Sequence, residues 1–88
     1  MAGARVEYKA SVAADLDRLD RSVALRILTR IEKALSAEGR RGEPLSGEFS
    51  GLFRLRVGDY RVIYAITTDG YLVLRVGHRS EVYRRSRP

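Results

Sequence analysis

Residues 53–64 read FRLRVGDYRVIY, placing Arg54, Arg56 and Arg61 among apolar neighbours at the spacing of a β-hairpin. Successive side chains of a strand point to opposite faces, so Phe53, Leu55 and Val57 share one side and Arg54 and Arg56 the other. The apolar side can be buried, whereas the guanidinium side must meet water or an anionic ligand. A second basic run, GHRSEVYRR, adds the single histidine of the chain, His78, together with Arg79 and Tyr83. Arginine grips phosphate through a two-pronged fork, where lysine offers only a point charge. A sheet that carries arginines, a histidine and a tyrosine on one side is suited to handling phosphate.

The elements that must position these groups follow from periodicity. Arg5-Val6-Glu7-Tyr8-Lys9 alternates and predicts a short strand with Val6 and Tyr8 facing inward. Ser11 is the expected N-cap of a first helix in which Val12, Leu16 and Leu19 keep helical spacing. Asp20 should cap a longer second helix, with Val23, Ile27, Ile31 and Leu35 at i+4 and Ala24 and Leu28 widening the stripe; Gly39 should end it. The two helices read as an antiparallel hairpin across one face of a sheet. Residues 38–50, rich in Gly, Pro, Ser and charge, predict a loop of about a dozen residues, a length often tied to function. Strands are expected at 52–57, 60–67 and 71–77, with Gly58-Asp59 forming a type II′ turn and Asp69-Gly70 the stronger hairpin signal. The order strand, helix, helix, then a three-stranded antiparallel meander is α+β. The tail from Arg84 to Pro88 is expected to fray.

Eighty-eight residues make one domain, 1–88, with no room for two cores. The absence of cysteine removes disulfides, thiolate zinc sites and a cysteine nucleophile, and suits a reducing compartment. A single histidine is too few for the usual multi-histidine metal centres, so no metal or other cofactor is expected, although carboxylates could still hold magnesium. No apolar run approaches the roughly 20 residues of a membrane helix and no signal-peptide core is evident, so a soluble, cytoplasmic protein is expected. The net charge of +6 is unevenly placed: residues 1–49 hold nine basic and eight acidic side chains, residues 50–88 eight and three. Fifteen of the 17 basic residues are arginine. A GC-rich coding sequence would explain arginine over lysine but not this asymmetry, which is the electrostatic footprint of a nucleic-acid binder.

The hairpin SGEFSGLFRLRVGDYRVIYAI together with LVLRVGHRSEVYRR resembles the RelE/ParE superfamily of bacterial toxins. The N-terminal VEYKASVAADLDRL fits as well, so the resemblance covers nearly the whole chain. It implies the RelE-like, microbial-ribonuclease-like fold. In the RelE-like branch, favoured here, members bind the ribosomal A site and cut messenger RNA there. ParE-like members share the fold and inhibit DNA gyrase. Members of both branches are neutralised by a co-encoded antitoxin, here expected to be acidic, RelB-like or similar, and to fold across the helical hairpin and the sheet.

RelE-like cleavage resembles other metal-free ribonucleases: a ribose 2′-hydroxyl attacks the adjacent phosphate and expels the 5′-oxygen. By the resemblance, Arg61 contacts the scissile phosphate; on a bare strand it would be a surface arginine paired with Asp59 or Glu81. Arg79 stabilises the developing charge. Tyr83 stacks on a base or takes part in proton transfer, or else anchors the last segment. Arg54 and Arg56 stand where lysines are common in relatives, and arginine cannot surrender its proton near neutrality. They are therefore expected, with Arg75, Arg84 and Arg85, to hold RNA phosphate. The general base then comes from elsewhere. His78 titrates in the right range without help, unless it is only a surface histidine at a strand end. Glu43, in a Glu-Pro-Leu context shared with the YoeB-like branch, is the other candidate, unless it is an ordinary loop carboxylate; Glu48 and Glu81 are weaker ones. The missing lysines keep the gyrase-inhibitor reading open, and a non-catalytic RNA-binding module is a third.

Overall fold

A computed structural model describes residues 5–36 and 42–83. It contains strand β1 (Arg5–Tyr8), helices α1 (Ser11–Asp17) and α2 (Arg21–Ser36), and strand β2 (Glu43–Pro44). A 3-10 turn (Gly47–Phe49) and strands β3 (Phe53–Val57), β4 (Tyr60–Ile66) and β5 (Gly70–His78) follow. Gly39, Arg84 and Arg85 lie outside the described residues.

The sheet has five strands in the order β1-β5-β4-β3-β2, with β1 parallel to β5 and every other pair antiparallel. The expected N-terminal strand and three-stranded meander are present, and β2 is added to them. It lies within the stretch read as loop, where Glu43 pairs with Arg54 and Pro44 with Phe53. Two residues that include a proline carry no periodic signal, and proline is tolerated there because β2 is an edge.

Three local expectations are corrected. Ser11 is the first helical residue, not the cap; Ala10 holds the cap position without a side-chain bond. Leu19 falls beyond the end of α1 but still packs against the core from the turn. Gly70 belongs to β5 and not to the turn, and the Thr67 amide donates to its carbonyl at 2.8 Å. Glycine is needed there because β1 runs so close that a Cβ would strike the Arg5 carbonyl. At the other hairpin, Gly58 has φ of +61° and, among the described residues, no non-glycine residue is positive, as a type II′ turn over Gly58-Asp59 requires.

The helices cover one face of the sheet. Val12 of α1 and Ile27, Ile31 and Leu35 of α2 are buried against Val57, Val62, Tyr64, Val73 and Val76. Each such side chain contributes about 1.5–3 kcal/mol on burial, which sets the register of every strand, since a one-residue slip would turn the apolar set outward. The opposite face is left without helical cover. No helix among the described residues is long and apolar enough to cross a membrane.

Candidate phosphate-binding face

The tight turn at Gly58-Asp59 sets the β3–β4 register, which places Arg56 directly opposite Arg61 and Arg54 opposite Ile63. On the far side of β4, Arg61 faces Gly77 and Ile63 faces Arg75. Arg54, Arg56, Arg61 and Arg75 thus share the face turned away from the helices. Like charges directly opposite one another destabilise an antiparallel pair by a few tenths of a kcal/mol up to about 1. Two arrangements offset this. Arg61 curls back over the turn, its Nη1 donating to the carbonyls of Gly58 at 2.9 Å and Tyr60 at 3.0 Å. Arg56 lies 3.4 Å from the Glu43 carboxylate.

Glu43 is the centre of this edge. Because β2 pairs it with Arg54, its Oε1 accepts from Arg54 Nε at 2.8 Å and lies 2.6 Å from Nη2. The Arg54 hydrogen bond, then the charges of Arg56 and Arg54, hold the Glu43 carboxyl below its ordinary value of 4.5. Arg54 also donates from Nη1 to the Tyr83 hydroxyl at 3.2 Å; that bond and the one to Glu43 push the guanidinium higher still. Glu43, Arg54, Arg56 and Tyr83 therefore form one contiguous set.

The carboxyl shift makes a direct prediction. A carboxyl lowered in the folded state contributes stability that is complete above 4.5 and lost as pH falls through the lower folded-state value. Carboxyl-carbon NMR should give Glu43 a titration midpoint below 4.5, returning toward it in Arg54→Ala. An unshifted midpoint in the wild type would mean that the pair does not persist in solution.

The C-terminal turn folds back over the same face. Val82 is buried against Gly77, where a Cβ would meet its side chain at 3.6 Å. Arg75 Nη1 donates to the Val82 carbonyl at 2.8 Å, bracing the turn that ends in Tyr83. Arg75 also lines a cleft of about 280 Å³ with Asp15, Arg18 and Glu81. Asp15 accepts from the Val76 amide at 3.0 Å, satisfying an edge donor of β5 beyond the reach of β1.

Two groups lie apart from this set. His78 pairs with Tyr60 and stands on the helix side of the sheet, edge-to-face with that ring at 5.6 Å. The Ser80 amide donates to its Nδ1 at 3.1 Å, so the neutral ring carries its proton on Nε2. Arg79 follows at the end of β5, its amide donating to the Asp59 carbonyl at 2.8 Å and its Nε 3.8 Å from the Asp59 carboxylate. Asp59 thus lies beside Arg79, while Arg61 bonds to carbonyls. Of the weaker carboxylates, Glu81 lines the cleft beside Arg75, and Glu48 lies in the 3-10 turn.

Sequence reasoning missed Phe49. Its ring meets Tyr83 edge-to-face with centroids 6.0 Å apart, fixing the tyrosine that bonds Arg54. An aromatic inside a Gly/Ser-rich loop was the available signal.

Comparison with known proteins agrees with this architecture. The sequence profile of the family described as "ParE toxin of type II toxin-antitoxin system, parDE" matches residues 6–83. Toxin RelG of Mycobacterium tuberculosis is 34% identical over 83 residues, covering 91% of this chain and 95% of that one. Toxin RelE of the same organism is 36% identical, covering 90% and 84%. The toxin–antitoxin complex RelBE2 from M. tuberculosis contains a chain that superposes with a TM-score of 0.79 at 31% identity, covering 92% of this chain and 97% of that one. The chain belongs to the RelE/ParE superfamily of type II toxin–antitoxin toxins.

Proposed function

We propose that this toxin acts as a ribosome-dependent endoribonuclease that cuts messenger RNA without a metal ion. The observation that carries the reading is the single face on which Arg54, Arg56, Arg61 and Arg75 lie together, with Glu43 and Tyr83 both bonded to Arg54. A ribose 2′-oxygen would form a bond to the adjacent phosphorus as the bond to the 5′-oxygen breaks. The 2′-hydroxyl proton passes to a base and the departing oxygen takes one from an acid. Arg61 and Arg79 stabilise the charge that builds on the phosphorane, and Arg54 and Arg56 hold the flanking backbone. Glu43 shares the arginine face and His78 does not, which favours Glu43 as the proton acceptor once a phosphate draws Arg54 away from it. Tyr83, held by Phe49, offers its ring to a base.

Primer extension on messages in a translating extract tests this. Discrete codon-positioned breaks are expected, and intact transcripts at inhibitory doses would sink the proposal. A second reading has its own observation: Glu43 neutralises part of the arginine face, as suits a toxin that binds DNA gyrase without catalysis. Inhibition of purified gyrase in a supercoiling assay, with messages intact, would replace the nuclease reading by this one.

The neutralising partner is a cognate antitoxin of acidic character. A groove of about 480 Å³ between the helices, lined by Tyr8, Val12, Leu16, Leu28 and Glu32, offers apolar surface for it. At its rim the Tyr8 hydroxyl donates to Glu32 at 2.7 Å, and burial with that carboxylate pushes the phenol above its ordinary value.

A further inference from the structure

Tyr64 is the largest side chain buried completely among the described residues. Phenylalanine would fill nearly the same volume without bringing a hydroxyl into the core, a group that burial penalises unless it is hydrogen-bonded. The oxygen has a partner: it accepts from the Gly42 amide at 2.6 Å, across 22 residues of chain. The ring that carries it is held on two sides. Phe53, opposite Tyr64 on β3, stacks on it with centroids 5.7 Å apart, and Tyr71 meets it edge-on at 5.5 Å. A ring packed in this way fixes where its hydroxyl stands.

Gly42 is confined from the opposite side as well. A Cβ there would strike the Arg54 carbonyl and stand 3.1 Å from the Tyr64 hydroxyl. The main chain at residue 42 is therefore wedged between β3 and Tyr64, and the next residue is Glu43. Strand β2 needs such an anchor. It has two residues, lies at an edge, and its Pro44 has no amide to donate. Pro44 also confines Glu43 to extended backbone, and beyond it the Leu45 amide donates to the Leu52 carbonyl at 2.9 Å. Tyr64 thus secures the near end of β2 and Leu45 the far end, with Glu43 held against Arg54 between them.

We infer that Tyr64 is a positioning residue: through the Gly42 amide it holds Glu43 among the arginines, where the reacting phosphodiester must lie. The inference rests on the role given to Glu43 above and adds a residue that is itself buried away from any substrate. Tyr64 is rooted in the core on the helix side of the sheet, whereas Glu43 acts on the open face. Filling the core and placing the carboxylate are separable, because the first belongs to the ring and the second to the hydroxyl. A displacement of about 1 Å in a reacting group can cost about 10²-fold in rate.

Tyr64→Phe keeps the ring and removes the hydroxyl. Message cleavage on programmed bacterial ribosomes should lose about 10- to 100-fold in kcat with KM little changed. Carboxyl-carbon NMR of the free toxin should show the Glu43 midpoint rising toward 4.5 as its bond to Arg54 loosens. Gly42→Ala, which forces a Cβ against Arg54, should reproduce both changes. Ile31→Ala lowers stability from a buried site elsewhere in the core and should leave the Glu43 midpoint where it is. On a Glu43→Gln background, Tyr64→Phe should slow cleavage no further, since the group it places is already gone.

A Glu43 midpoint unmoved in Tyr64→Phe would overturn the inference. So would an equal loss of rate with and without Glu43, which would make the hydroxyl a structural group. Should Tyr64→Phe fail to fold, Gly42→Ala carries the same two measurements, and failure of both to fold would overturn the inference too. Glu43→Gln cleaving at the wild-type rate would instead sink the reading of Glu43 as base, and the inference with it, even where the midpoint moves.

Discussion

Replacing Arg61 with alanine is expected to reduce message cleavage by about 10²–10³-fold while leaving the fold nearly as stable as before. The rate estimate is the usual cost of removing one preorganised donor from a developing oxyanion. The stability estimate follows from what Arg61 touches. Its guanidinium bonds two carbonyls at the solvent-facing hairpin tip and packs into no core, and its loss relieves the charge of Arg56 directly opposite. Changes at such surface sites usually fall within about 0.5 kcal/mol. Ile31→Ala, which empties a fully buried position, should by contrast cost about 2–5 kcal/mol. Primer extension paired with urea unfolding separates the two quantities. Arg61→Ala cleaving at the wild-type rate would remove Arg61 from the chemistry; a large loss of stability would make it a structural residue.

Glu43→Gln should divide binding from chemistry. In the free toxin the carboxylate occupies Arg54 and lies near Arg56, so an incoming phosphodiester must compete with it. Glutamine is neutral and keeps a carbonyl acceptor, so the variant should bind cleavage-resistant ribosome complexes more tightly, with a steeper salt dependence. If Glu43 receives the 2′-hydroxyl proton, the same variant should cleave about 10²–10⁴-fold more slowly. While Arg54 remains bonded to it, Glu43 is a weak base, because its affinity for a proton is held low. Transfer of Arg54 to phosphate removes the first cause of that depression. Slower cleavage with tighter binding supports both roles. Unchanged cleavage would leave the base to another group, and weaker binding would show that Glu43 positions the arginines and does not compete for them.

Much of this arrangement was legible in the primary structure because it depends on local period. The alternation in residues 53–57 and 60–66 needs only the pleat of a strand, and the turn at Gly58-Asp59 needs only a residue that tolerates positive φ. Arg54, Arg56 and Arg61 could therefore be assigned to one hairpin by inspection. Strand β2 could not be found this way. Two residues have no period, and Glu43 is ordered by the strand it pairs with. His78 was misleading for a related reason. It adjoins Arg79 in the chain, yet one step along β5 reverses the side of the sheet, and its pairing with Tyr60 puts it among the helix-facing positions.

Composition and periodicity thus determined an α+β fold, its helical stripe and its arginine-bearing hairpin, since each of these follows from neighbours a few residues apart. Tertiary structure decided which groups meet: β1 beside β5, Glu43 against Arg54, Tyr83 over the same guanidinium, His78 behind the sheet. Those contacts join segments far apart in the chain. They are fixed by burial of one apolar core and by the strand register it imposes, neither of which any short window of residues contains.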